Sequence, residues 1–315
     1  MGVERDNQAG RRDARPHAEI ERVAADHPAE EQVQPLAGAS GGGTRKKIAD
    51  ARAAGHPPIG TPQVQRQGAC REAIQGGADV VVRVNSPMEM TVEDLDASVC
   101  QDVDGIAVTK AQSADHIRQV DDRISQIESK RGLPAGHIRL IAMIESPAAF
   151  FQMPAIAAAS ARLAAMNIGG EDFALETGME PGEDTLLMPK QQMIFAARSA
   201  GIMPLGFIDS IASFGDWEAF ARMVRRSRRF GFMGAGCIHP GQVPIVNEQY
   251  SPSAEDVAYA TRIVQDNAVH AAAGRASWSL DGKMIDVPVV VRAERLLERH
   301  AAIQAREARG GQFKT

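Results

Sequence analysis

The rhythm of apolar and polar positions changes at about residue 77. From there, short apolar runs alternate with longer amphipathic stretches. The runs ADVVVRVN (78–85), GIAVTK (105–110), IRLIAMIES (138–146), LAAMNIGG (163–170), MPLGFID (203–209) and GFMGAGCIH (231–239) predict strands. The stretches 113–131, 148–161, 189–200 and 215–229 carry apolar residues at helical spacing, with Gly or Pro near the end, and predict helices. Strands alternating with helices at this spacing build a parallel sheet with helices outside. A continuous series of six such units favours a (β/α)8 TIM barrel over an open doubly wound sheet. The absence of a strand-GxGxxG-helix unit argues against a dinucleotide-binding domain.

The pattern differs at both ends of the chain. After His239 it becomes helical, with Ser253 as an N-cap and Asp256 three residues on, the spacing of a capping box. Val257, Ala260, Ile263, Val264 and Ala268 then share one helical face. Asp281-Gly282 between apolar flanks predicts a hairpin, and a last helix is expected from about Pro288 to Arg309. The first sixty residues hold few large apolar side chains and no sustained period, too little to offset the entropy of ordering them. The stretch GASGGGTRKK (38–47) looks like a phosphate loop, yet Thr44 stands where a Walker Lys is needed, so a linker is expected. The organisation expected is therefore an atypical, poorly ordered or misread segment over 1–75, a barrel over 76–245, and C-terminal helices with a lid over 246–315. On this reading the barrel's first two strands are degenerate or missing.

Charge and composition narrow the class. A net charge of -5 leaves no electrostatic footprint for nucleic acid. No run approaches 18 apolar residues, so no membrane span is expected, and the N-terminus lacks the apolar stretch of a secretory signal. Cys70, Cys100 and Cys237 form no CxxC pair, which suits a reducing compartment and a cytoplasmic protein.

In a barrel of this kind the catalytic side chains gather at the C-terminal ends of strands. Those ends carry Arg83 with Asn85, Lys110, Glu145, Asp172, Asp209 and His239. Glu145 and Asp172, on neighbouring strands, can hold one hard divalent cation, because Mg²⁺ takes one or two protein carboxylates and fills its other positions with water and substrate oxygens. Arg83 offers a fixed positive fork to a developing oxyanion. Each has a structural reading when taken alone; the constellation favours the functional one. Glu171 reads as a hydrogen-bond partner beside Asp172. Arg225, Arg226, Arg228 and Arg229 read as a solvated helix end favoured by the dipole, and Met179, Met188, Met193 and Met203 as core fillers.

VVVRVNSP, IAMIESPAAF, MNIGGEDFALETG, CIHPGQ and DGKMIDVP resemble, in order and spacing, motifs of the HpcH/HpaI aldolase and citrate lyase beta-subunit family, which includes the malyl-CoA lyases. The resemblance covers about residues 79–305. It implies that Arg83 contacts substrate near the thioester oxygen, that Glu145 and Asp172 ligate Mg²⁺ or Mn²⁺, and that Gly170 and Glu171 line the substrate site. It also implies that Asp286 sits on a lid that closes over a neighbouring subunit's site and supplies the acid/base, in a homotrimer or hexamer. The expected reaction cleaves a malyl-, citramalyl- or citryl-CoA between C2 and C3, with Arg83 stabilising the enolate oxygen and Asp286 protonating the enolate carbon. The substrate is then a CoA thioester and the product a 2-oxo acid. His239-Pro240 is expected to shape a turn.

The chain also departs from that family. Its relatives begin with a strand resembling RSxLFVPG and a second ending in a DLED-type motif, and neither is present here. Only TRKKIADAR (44–52) echoes the helix that follows, with Lys47, Ala51 and Arg52 near the expected places. A shifted reading frame or misassigned start over residues 1 to about 75 is the expected cause. Two other readings stand beside the lyase: a malyl-CoA thioesterase of the same family, and a non-catalytic subunit of a citrate lyase-like complex.

Overall fold

The computed structural model describes residues 79–210 and 215–310. The expectations placed on residues 1–75, including the missing strands and the linker, lie outside the described residues. The chain divides into two compact units, one holding the described residues up to Ser251 together with those after Arg306, and the other Pro252–Arg306.

In the first unit, β1 (Val81–Val84), β2 (Gly105–Val108), β3 (Arg139–Ile144), β4 (Leu163–Ile168) and β5 (Met203–Pro204) form one sheet in the order β1-β2-β3-β4-β5. Every pair is parallel. Each strand lies beside its neighbour in sequence with no reversal, which is the winding of a barrel; a doubly wound sheet reverses at a switch point. Alternation along the strands separates two faces. Val84, Ile106, Val108, Leu140, Ala142, Ile144, Met166 and Ile168 face the helices and form the main core. Ile141, Ala165 and Met203 turn the other way and cluster with Val81, Ala107, Leu205 and Met233.

Around the sheet run α1 (Met88–Ser98), α2 (Ala114–Arg131), α3 (Pro147–Phe150), α4 (Met153–Ala157), α5 (Gly170–Thr177), α6 (Glu183–Ser199), α7 (Trp217–Phe230) and α8 (Gln242–Tyr250). Ser113 caps α2 by accepting the His116 N–H, and Gly132, at φ 67°, ends it. One helix predicted over 148–161 is in fact two short ones, each with a proline in its first turn. Pro154 has no N–H to give to a continuing helix, so the helix restarts there. The run at 203–209 pairs over only two residues, and GFMGAGCIH adds to the sheet only the bridge between Leu205 and Gly234. Pro204 cannot donate to a ladder, and Gly206, at φ 131°, turns the chain out of it.

Arg162, just before β4, locks the N-terminal end of the sheet. It is 7% exposed, and its guanidinium forks onto both carboxylate oxygens of Glu128 at 2.7 Å, with Asp121 as a further partner. Glu128 also accepts the N–H groups of Gly136 and Ile138. The arginine cluster of α7 is likewise structural: Arg226 pairs with Glu183, Arg225 bonds Gln249, and Arg228 bonds the Ser251 carbonyl. Met193 and Met203 are buried as expected, whereas Met188 is 57% exposed.

The second unit packs α9 (Ala254–Ala272), a hairpin of β6 (Trp278–Leu280) and β7 (Lys283–Ile285), and α10 (Val287–Gly310) around Ala260, Ile263, Leu280, Ile285, Val290 and Ala293. Ser253 and Asp256 make the reciprocal capping box. Asp281 and Gly282 both have positive φ, 52° and 75°, as a type I′ hairpin turn requires. No described helix is long and apolar enough to cross a membrane.

Candidate active site

The C-terminal ends of β1 to β4 bring three charged side chains, Arg83, Lys110 and Asp172, within electrostatic reach of Glu145. Arg83 pairs in register with Ala107, whose side chain is on the inner face, so the guanidinium rises from that same face and is exposed. Asn85, two residues on, serves the fold: its N–H and its side-chain amide both bond Asp94, at 2.9 and 2.7 Å, and hold β1 to α1.

Glu145 lies directly beyond β3 and is only 6% exposed. Burial is the main cause of a carboxyl pushed up to about 7, and the nearby Asp172 charge raises it further. Lys110 and Arg83 oppose the rise without cancelling it, as does the Lys110 N–H, which donates to the carboxylate. Gly169 makes this packing geometrically feasible. A Cβ there would stand 2.8 Å from Glu145 Cγ, so only glycine lets the end of β4 lie flush against this side chain.

Asp172 and Glu171 occupy the first turn of α5, where the helix dipole favours negative charge. Asp172 is exposed and stands 3.6 Å from the Lys110 ammonium. Glu171 points to another partner and accepts the Ser210 hydroxyl at 2.7 Å. Beneath the turn, Gly170 backs onto Leu186 and Lys190. Lys190 is buried, and its ammonium donates to the Asp209 carbonyl at 2.9 Å. Burial draws its pKa down to about 8. Asp209 thus meets Lys190 both through its carbonyl and through its charge. His239 is exposed, accepts the Gly241 N–H and lies against Trp217, so it shapes a turn.

The two carboxylates form a hard, oxygen-only donor pair that suits Mg²⁺ rather than a thiophilic metal. The elevated Glu145 carboxyl marks a negative charge that this site under-compensates, and a cation would relieve it. Among the described residues, no group of three or more His, Cys, Asp or Glu side chains gathers to hold a metal. Two residues escaped the sequence reading. Lys110 was visible at a strand end without a role, and nothing in the sequence set Lys190 apart from other helical lysines. Asp286 belongs to the second unit. It stands at the head of α10, half-buried, with its carboxylate 3.4 Å from the Val289 N–H.

Known proteins resemble this chain over much of its length. The sequence profile described as HpcH/HpaI aldolase/citrate lyase matches residues 62–240. Citrate lyase subunit beta of Haemophilus influenzae is 34% identical over 224 residues, covering 70% of this chain and 76% of that protein. The L-malyl-CoA/beta-methylmalyl-CoA lyase of Cereibacter sphaeroides is 29% identical over 222 residues, covering 64% and 69%. The fold is shared with the CitE protein of Mycobacterium tuberculosis, solved in complex with magnesium, acetoacetate and coenzyme A. The TM-score is 0.56 at 24% identity, over 81% of this chain and 94% of that one.

Proposed function

This chain belongs to the HpcH/HpaI aldolase/citrate lyase family, and from that premise we propose that it is a carbon–carbon lyase acting on a 3-hydroxyacyl-CoA of the malyl, citramalyl or citryl type. The products are an acyl-CoA and a 2-oxo acid. The observation that carries this reading is the carboxylate pair: Glu145, buried and raised to about 7, beside Asp172 and under two cationic side chains.

Glu145 and Asp172 would hold Mg²⁺, which when bound supplies Lewis-acid polarisation of the hydroxyl oxygen that becomes the 2-oxo group. Arg83 directs its guanidinium at the thioester oxygen, where negative charge collects as the C2–C3 bond breaks. Glu171, held by Ser210, keeps the first turn of α5 in place and with it the Asp172 carboxylate. The hydroxyl proton leaves to solvent as the 2-oxo group forms, and Asp286 in its acid form gives a proton to the enolate carbon. The exposed apolar side chains of Met284 and Val287 flank it, at 70% and 64%, as befits a lid that buries them on closing over a partner subunit. That arrangement requires a homo-oligomer, a trimer or hexamer. No step needs a covalent nucleophile.

The test is a Mg²⁺-dependent cleavage assay over malyl-, citramalyl- and citryl-CoA, with products resolved by chromatography. Acyl-CoA plus a 2-oxo acid supports the lyase, whereas free CoA without carbon–carbon cleavage would replace it with a thioesterase. Glu145→Ala is expected to lower turnover by about 10²- to 10³-fold, the scale of losing metal-assisted charge stabilisation.

A further inference from the structure

Lys110 occupies a position in the site that the reaction above leaves unused. Its ammonium pairs with Asp172 at 3.6 Å, and both its backbone N–H and its charge favour the ionised form of Glu145. Its backbone is left-handed, φ 48°, and only Asp281 shares that property among the described non-glycine residues. Asp281 needs a positive φ for its hairpin turn. Lys110 lies in no hairpin; it follows β2, and the chain rejoins the ladder at once through the Ala111 N–H to the Met143 carbonyl, at 2.9 Å. A residue with a Cβ adopts this conformation only against a steric penalty. What the penalty secures here is one residue turned so that amide and ammonium both serve the acidic pair.

The ion pair itself is weak. Both side chains are 50% exposed, a setting in which solvent screens most of the attraction. A compact ammonium on a flexible four-carbon stem leaves such a partner easily. A dication seated on Asp172 and a lysine ammonium at 3.6 Å cannot share that carboxylate without strong repulsion. The anchored backbone keeps the released ammonium within reach of the ligand oxygens.

We propose that Lys110 is the resident counter-ion of this site: it neutralises Asp172 before metal binds, yields that carboxylate to the divalent cation, and then binds the carboxylate of the 2-oxo acid. The inference rests on the metal-dependent lyase reading. It gives the site two cationic groups, Arg83 and Lys110, that face an anionic ligand from adjacent strands. Lys110 is thereby both a competitor of the metal and a binding residue for the oxo acid, and these two effects have opposite signs.

Isothermal titration of the full-length protein separates them. Lys110→Asn removes the charge and keeps a side chain that tolerates positive φ; Lys110→Gly, freer still at this backbone angle, replaces it if the first variant misfolds. Either variant should bind Mg²⁺ about three- to ten-fold more tightly than wild type, the scale of one partly screened charge interaction. At saturating Mg²⁺ it should bind pyruvate, a 2-oxo acid, roughly ten-fold more weakly, as expected on losing a charge-assisted hydrogen bond. Lys110→Arg should keep Mg²⁺ affinity near that of wild type. Unchanged or weaker Mg²⁺ binding in Lys110→Asn, or unchanged pyruvate binding, overturns the role of Lys110 and leaves the lyase reading intact. A wild-type protein that binds no Mg²⁺ overturns both.

Discussion

Single residues carry most of the chemistry, and at Glu145 two environmental effects add. Burial disfavours its charge, and Asp172 disfavours it again. Gly169 decides whether this carboxyl can sit where it does. Its φ of -75° is open to any residue, so the constraint is contact and not backbone freedom. Gly169→Ala is expected to place a methyl 2.8 Å from Glu145 Cγ and to cost about 1–3 kcal/mol through overpacking. Urea unfolding would measure that loss, and Mg²⁺ titration the accompanying loss of affinity. In the sequence, Gly169 reads only as part of a motif, because close approach is a property of two chain segments 24 positions apart. Arg83, Glu145 and Asp172 were legible because strand ends are where a barrel displays polar groups. The contacts of Lys110 and Lys190 were not, because each depends on which strand or helix lies alongside.

Elements were predictable where period and punctuation agreed. The spacing of Ile117, Val120, Ile124 and Ile127, with Ser113 before and Gly132 after, specifies α2 on its own. The Asp281-Gly282 turn and the Ser253 cap are equally local. Where glycine and proline interrupt a run, as at 203–209 and 231–239, apolar content outlasts strand pairing. The pin that holds α2 to β3 and β4 is tertiary. Burial pushes the Glu128 carboxyl up, but the Arg162 fork and the N–H groups of Ile138 and Gly136 outweigh it and hold it below its ordinary value. A depressed carboxyl stabilises the fold above its unfolded value of 4.5, and that contribution is lost as pH falls through the folded value. Glu128→Gln, which leaves the buried Arg162 guanidinium with Asp121 as its carboxylate partner, is expected to cost about 1.5–3 kcal/mol at neutral pH, the scale of a hydrogen bond to a charged group. Denaturant melts from pH 7 to 3 should show the gap between wild type and variant closing below 4.5.

For the whole molecule, the division into two units sets the question of how the proposed acid/base Asp286 would reach a substrate. If the lid works on a neighbouring subunit, the two defects are separable. Glu145→Ala and Asp286→Asn homo-oligomers are each expected to lose turnover by about 10²-fold or more. Subunits exchanged between them should regain activity, because some sites then combine an intact carboxylate pair with an intact lid. Activity assays before and after mixed refolding check this; failure to recover would place Asp286 in the same chain as the site it serves.

Local rules were enough for the sequence to determine the alternation of strands and helices, the caps and turns, and the donor types that stand at the strand ends. Those properties depend on side-chain period, on hydrogen-bonding groups a few residues apart and on the donor type of individual residues. Only the tertiary structure decided which charges meet. The Glu145 carboxyl is raised because the fold buries it and sets Asp172 near it, and Asp172 is balanced because the Lys110 ammonium, at the end of β2, stands 3.6 Å away. Coulomb energy depends on distance and burial, neither of which is written in the order of residues.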